Sequence, residues 1–328
     1  MRLTPAFQPG SGCSKWWNRS ASRPPLRAVL LTGALLALVG CGGAAPEEAD
    51  AEADAPGATL VAVDQAQRAD NGLSTNGLST NGLSTNGLST NGLSTNGLST
   101  NGFNDWFNTN SATAPTLMAY IVKCAVPAGQ TRTFLHTATG TNYTWQGNLG
   151  LAPNWAGGQP ATEAEQQAVS ACLAAHANKF GLHVSLSVLG RTSAGTPLPY
   201  SAQELSTFSV REACFFGNLF TAEGVFAARD RDFSAAESTT RACGLTLKAD
   251  SCAPITNVGS CSQFCTKADP SQPYFTQCTY NGKTYPALTT RVQPQELYRC
   301  GDGTCQFTEH CGTGLTADSC QADCGTCG

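Results

Sequence analysis

The placement of cysteine constrains this chain more than any other feature. It has 16 cysteines, of which all but Cys13 and Cys41 lie between Cys124 and Cys327. Six of them are packed into the tail as Cys300, Cys305, Cys311, Cys320, Cys324 and Cys327. A segment that short has almost no core and must be held by cross-links. The other eight are spread over the region before it: Cys124, Cys172, Cys214, Cys243, Cys252, Cys261, Cys265 and Cys278. An even set of thiols in an exported chain reads as a disulfide framework. Zinc is the competing reading, because Cys261-x3-Cys265 and Cys324-x2-Cys327 have ligand-like spacings. Export argues against it, and no cysteine-rich segment carries a paired-histidine motif. The pairing stays open at this level.

Export itself is read from the start of the chain. Arg19, Arg23 and Arg27 precede an apolar run from Ala28 to Val39, which small residues follow. Basic, apolar, then small is the order of a secretory signal. The run is shorter than the about 20 residues a membrane-spanning helix needs. Leu38-Val39-Gly40-Cys41 resembles the lipobox of bacterial lipoproteins, matching it at all four positions. That resemblance implies a signal peptide over residues 1–40, lipid on the sulfur of Cys41 and a cell-envelope location. Gly42 carries no acidic retention signal, which favours the outer membrane.

Residues 1–40 hold five basic and no acidic side chains, so their removal takes the formal charge from −4 to −9. Six units of that charge sit in residues 41–70, where Glu47, Glu48, Asp50, Glu52, Asp54, Asp64 and Asp70 face only Arg68. An acidic, alanine-rich stretch of this kind buries too little apolar surface to fold and predicts a disordered tether. The remainder has 13 basic against 16 acidic residues, which leaves no basic footprint for nucleic acid.

From Asn71 to Thr100 the unit Asn-Gly-Leu-Ser-Thr recurs six times without a substitution, and Asn101-Gly102-Phe103-Asn104-Asp105 follows as a degenerate copy. Leucines five residues apart advance about 140° around a helix and alternate faces on a strand, so neither element gains a continuous apolar face. Asn-Gly favours tight turns, and the glycine raises the entropic cost of order. The expectation over 71–105 is a flexible spacer of roughly 30–35 Å. The alternative is a β-solenoid, since the central leucine resembles that of pentapeptide-repeat proteins.

Residues 106–299 have the composition of one α+β domain. A helix is expected from Ala114 to Cys124, and strands over Thr131–Thr139 and Asn142–Gln146 that pair as a hairpin. The best-signalled helix runs from Glu163 to Phe180, with Thr162 and Glu165 in capping-box positions and Gly181 closing it. A strand follows over His183–Leu189, then apolar runs at Cys214–Phe220 and Val225–Ala228. Residues 300–328 form a separate module. Its Cys300-Gly-Asp-Gly-Thr-Cys305 start resembles short cysteine-rich modules of secreted bacterial proteins. With the repeats, the layout resembles a group of bacterial surface lipoproteins, a likeness that implies no activity.

Several residue sets are candidates for function. Asp302, Glu309, Asp318 and Asp323 offer hard oxygen ligands for calcium, although their spacing is not that of an EF-hand. Tyr143, Trp145 and Trp155 offer faces for a sugar, or a core. Of the histidines, His176 falls on an apolar helical face, while His136 and His183 fall on strands. No Gly-x-Ser-x-Gly elbow or His-Glu-x-x-His helix occurs. Arg229-Asp230-Arg231-Asp232 reads as a solvated turn. The pattern as a whole favours a non-catalytic binding or structural module for a protein or polysaccharide ligand. A tethered hydrolase acting on a polymer is the alternative.

Overall fold

The computed structural model describes residues 69–71, 73–74, 92–178, 184–221, 223–232, 237–239, 253–305, 309–313 and 319–327. Cys41 and its leader, all of the acidic stretch before Ala69, most of the first four repeat units, Gly181, His183, Asp318, Cys243 and Cys252 lie outside them.

The chain enters as two short strands, β1 (Ala69–Asn71) and β2 (Leu73–Ser74). Helices α1 (Thr95–Leu98), α2 (Asn101–Thr109) and α3 (Ala114–Ala125) lead to the hairpin β3 (Thr131–His136) and β4 (Thr141–Gln146). Next come α4 (Pro153–Ala156), α5 (Glu163–His176), β5 (Ala177–Asn178), β6 (Val184–Gly190) and α6 (Ala202–Thr207). Strands β7 (Val210–Asn218), β8 (Gly224–Arg229), β9 (Glu237–Thr239) and β10 (Ile255–Ser260) precede α7 (Cys261–Phe264). The chain closes with β11 (Cys265–Thr266), β12 (Gln277–Tyr280), β13 (Lys283–Pro286), β14 (Leu288–Val292), β15 (Leu297–Arg299) and α8 (Gln321–Cys324). The fold is α+β, as expected.

A six-stranded sheet in the order β1-β6-β14-β7-β8-β10 organises the body. Its neighbours are antiparallel except β8 and β10. Alternation along β7 and β8 supplies both of its faces. Ala213, Phe215, Val225 and Ala227 join the large core made with α3, α5 and the hairpin. Cys214, Phe216, Phe226 and Ala228 face a smaller core shared with Cys261, Cys265, Cys278 and Tyr285. The three-stranded sheet β11-β12-β13 lies over that second face. No helix among the described residues is long and apolar enough to cross a membrane.

Helix α5 is set by its start. Thr162 Oγ1 accepts from the Glu165 N–H, and the Glu165 carboxylate accepts in return from the Thr162 N–H at 2.9 Å. The other carboxylate oxygen accepts from the N–H groups of Asn154 and Trp155 at 2.6 and 3.2 Å, which caps α4 as well. From Gln167 to His176 every residue is buried, as befits a helix enclosed between a sheet and a second helix. It stops at His176 instead of Phe180, because Ala177 turns extended and enters β5.

Residues 92–105, expected to belong to the spacer, pack into the body. Leu93, Leu98 and Phe103 are 0%, 2% and 1% exposed and share one core. A continuous helix would have scattered them. Instead two short helices start from separate caps: Ser94 caps α1 by accepting from the Gly97 N–H, and Thr100 caps α2 by accepting from the Phe103 N–H. Each cap resets the direction of the chain, and so the third residue of each unit returns to the same side.

Candidate ligand-binding cleft

The disulfides account for every cysteine among the described residues. Cys124–Cys172 joins α3 to α5, Cys214–Cys261 joins β7 to α7, and Cys265–Cys278 joins β11 to β12. The tail pairs Cys300 with Cys320, Cys305 with Cys324 and Cys311 with Cys327, so its first three cysteines bond its last three in order. Loops of this size contribute about 3 kcal/mol each by restricting the unfolded chain. The two zinc-like spacings are each split between different partners.

In the tail, the Asp323 carboxylate accepts from the N–H groups of Gly301, Asp302 and Gly303 at 2.7, 3.3 and 3.0 Å. Gly301 and Gly303 have φ of 98° and 87°, a backbone region that glycine enters freely, and this lets successive amides converge. Asp302 accepts from the Thr304 N–H, and Glu309 is buried. Of the four candidate calcium ligands, Asp323 thus has its charge met by amides, and Asp318 lies outside the described residues. The Gly-Asp-Gly turn presents donors to Asp323.

His136 and His176 are held by neutral partners. His136 is 5% exposed between the rings of Phe107 and Phe134. Its Nε2 donates to Asn108 at 2.5 Å, and its Nδ1 accepts from the Thr139 hydroxyl at 2.9 Å. His176 is fully buried and donates from Nδ1 to the Cys172 carbonyl at 2.8 Å. Trp145 and Trp155 are core residues at 6% and 0% exposure, with Tyr143 half-buried and stacked on Trp145. Asp230 departs from the expected solvated turn, since its side chain is 5% exposed beside Arg211. Burial holds its carboxyl above the usual range against the pull of Arg211, Lys267 and Arg291.

Sequence reading passed over a cleft that the described residues form. It has a volume of about 310 Å³ and lies between the turn after β6 and the β12–β13 hairpin. Arg191, Thr192 and Ser193 form one wall, and Thr276, Gln277 and Thr284 the other. The turn is rigid: the Gly195 N–H donates to Thr192, the Thr192 N–H to Thr196, and the Ser193 N–H reaches the Leu151 carbonyl. Gly190 has φ 153°, and a β-carbon there would come within 3.1 Å of the Ala287 carbonyl oxygen.

Arg191 donates from one terminal nitrogen to the Gly195 carbonyl at 2.9 Å, and no carboxylate among the described residues pairs with it. The neighbouring charges are already matched. Lys283 reaches Glu163 at 2.5 Å and Glu223 at 2.7 Å, which ties the hairpin to the start of α5. Hydrogen bonding to Glu163 and then Glu223 holds Lys283 firmly protonated. Burial would raise Glu223, but hydrogen bonds from Lys283, Tyr285 and Thr221 keep it below its usual range. Burial, and then Glu223, raises Tyr285. A lysine kept cationic and a phenol kept neutral are poor nucleophile and base. The cleft thus sets the Arg191 guanidinium, which has no carboxylate partner among the described residues, beside a lining that is mostly apolar and includes Ala164, Tyr285 and Pro286.

Residues 72–99 match the GLTT repeat, in six copies. No characterised protein and no solved structure matches the chain.

Proposed function

We propose that the chain is a lipid-anchored cell-envelope protein with a non-catalytic binding role. In this reading the leader is removed before Cys41, whose sulfur carries the lipid, and the acidic stretch separates membrane from body. The Arg191 cleft is its ligand site and takes a carboxylate-bearing polysaccharide. The observation that carries the reading is the Arg191 guanidinium, which lines the cleft and has no carboxylate partner among the described residues. A planar guanidinium suits a carboxylate, the Ser193 hydroxyl and the Gln277 amide suit the hydroxyls of a sugar, and the apolar lining of Tyr285 and Pro286 suits its ring face. A tethered hydrolase would instead need a base beside a nucleophile, whereas the ring nitrogens of His136 are engaged by Asn108 and Thr139.

Titration with uronic-acid oligosaccharides tests the site. Binding should be saturable, weaken as salt is raised, and fall at least about tenfold in Arg191→Ala. Equal affinity in the variant, or preference for a neutral glycan or a protein, rejects the polysaccharide assignment. For the anchor, Cys41→Ala should lose palmitate label and leave the membrane fraction. Unchanged partition would reject lipidation without touching the cleft.

A further inference from the structure

The fifth and sixth repeat units are seated through groups that all six units possess. The Leu93 N–H donates to the Trp155 carbonyl at 2.8 Å, and the Leu93 carbonyl accepts from Arg132 Nε. Gly92 lies on the backbone of Gly158, where a β-carbon would come within 2.0 Å. Gly97 lies on the carbonyl oxygen of Gly92, where a β-carbon would come within 1.7 Å. Ser94 supplies the cap to Gly97, and the leucines of both units fill the core. The seat therefore reads glycine, leucine and serine of one unit and glycine and leucine of the next. Each is a repeated position. The aromatic residues that fix the register, Phe103, Trp106 and Phe107, lie downstream and occur once.

We infer that the seat built by Arg132, Trp155 and Gly158 is a receptor for paired Asn-Gly-Leu-Ser-Thr units, and that a second copy of this chain also supplies them. The chain carries six identical units while the seat takes two. The first unit is paired to β6 and β5 through Asn71, Leu73 and Ser74, and the three units over residues 76–90 bear the same recognition groups. Steric selection by Gly92 and Gly97 excludes most other peptides, because any side chain at those positions meets main chain. Within one molecule the covalent link gives the resident pair a high effective concentration. Exchange between copies therefore becomes visible as their density rises. The occupant from the second copy enters by displacing that pair, which costs no new surface and joins two molecules.

The test uses the full chain carrying Cys41→Ser, compared with the same chain lacking residues 76–90. The deletion removes three units but keeps the seat, the resident pair and Phe103. Sedimentation equilibrium should show self-association in the former and at least about tenfold weaker association in the latter. A free peptide of three Asn-Gly-Leu-Ser-Thr units should dissociate the dimer, and the same peptide with alanine for each glycine should not. A chain that stays monomeric at millimolar concentration overturns the inference. Equal association after deletion, or a dimer indifferent to the peptide, overturns it too. Neither result depends on the Arg191 cleft or on lipidation.

Discussion

Arg132 donates to the main-chain carbonyl of Leu93, 39 residues earlier, and to that of Ala156, 24 residues later. One guanidinium thus ties the repeat, the β3–β4 hairpin and α4 together. It does so through main chain, which makes the contact indifferent to which copy of the unit is present.

Replacing that fork by a single ammonium should loosen all three elements. Arg132→Lys should cost about 1–2 kcal/mol, since a lysine cannot hold both carbonyls at once. Thermal unfolding under non-reducing conditions measures it. Amide exchange should rise first at Leu93. A variant as stable as the native chain would show that the leucine burial alone holds the repeat.

Glu165 offers a larger effect. Its carboxylate accepts from Asn154, Trp155 and both donors of Thr162. Glu165→Gln turns one acceptor into a donor facing donors, in a fully buried position, and should cost about 2–4 kcal/mol. Urea unfolding gives the value. The Thr162→Ala change, which leaves the α4 contacts intact, should cost only about 1 kcal/mol.

The Asp230 carboxyl is raised by burial, and Glu296 is raised by burial and then by Glu212. Between the unfolded and folded values, the folded chain binds more protons than the unfolded one. Stability from these groups is therefore full below the ordinary carboxylate range and lost as pH rises through the raised values. Asp230→Asn should accordingly stabilise the protein at pH 7 and change little near pH 3. Denaturation series at the two pH values decide it; an equal effect at both would mean the carboxyl is not raised.

Asp323 holds the tail by the turn amides as well as by the cross-links. Asp323→Ala should leave the disulfides oxidised yet speed amide exchange at Gly301 and Gly303 by about tenfold or more, the equivalent of one lost hydrogen bond. Exchange should be the same with and without a calcium chelator if the amides alone meet the charge of Asp323.

Elements whose signals are local were legible in the sequence. The Thr162–Glu165 box, Pro115 early in α3 and the alternation of β3 and β4 each state their structure within a few residues. The repeat misled because a five-residue period fits no continuous element. Over residues 92–105 the structure instead interrupts the helix, with caps at Ser94 and Thr100 that the sequence showed plainly. The first unit supports the same point: Leu73–Ser74 is extended beside β5, whereas Thr95–Leu98 of the last two units is helical. Identical residues take different forms because tertiary contacts outweigh weak propensities. The Arg191 cleft was invisible for another reason. Its walls come from residues about 80 positions apart, which only the folded chain brings together.

The position of β14 carries a consequence for how the molecule is made. This strand lies between β6 and β7, pairing with both, although it follows them by about 70 residues or more. Until Leu288–Val292 leaves the ribosome, the facing edges of β6 and β7 have no partner, and the sheet cannot close. Long-range pairing of this kind is slow. The body therefore cannot complete its main sheet until nearly all of it has been synthesised, and the strand that joins the two halves of that sheet is among the last to arrive.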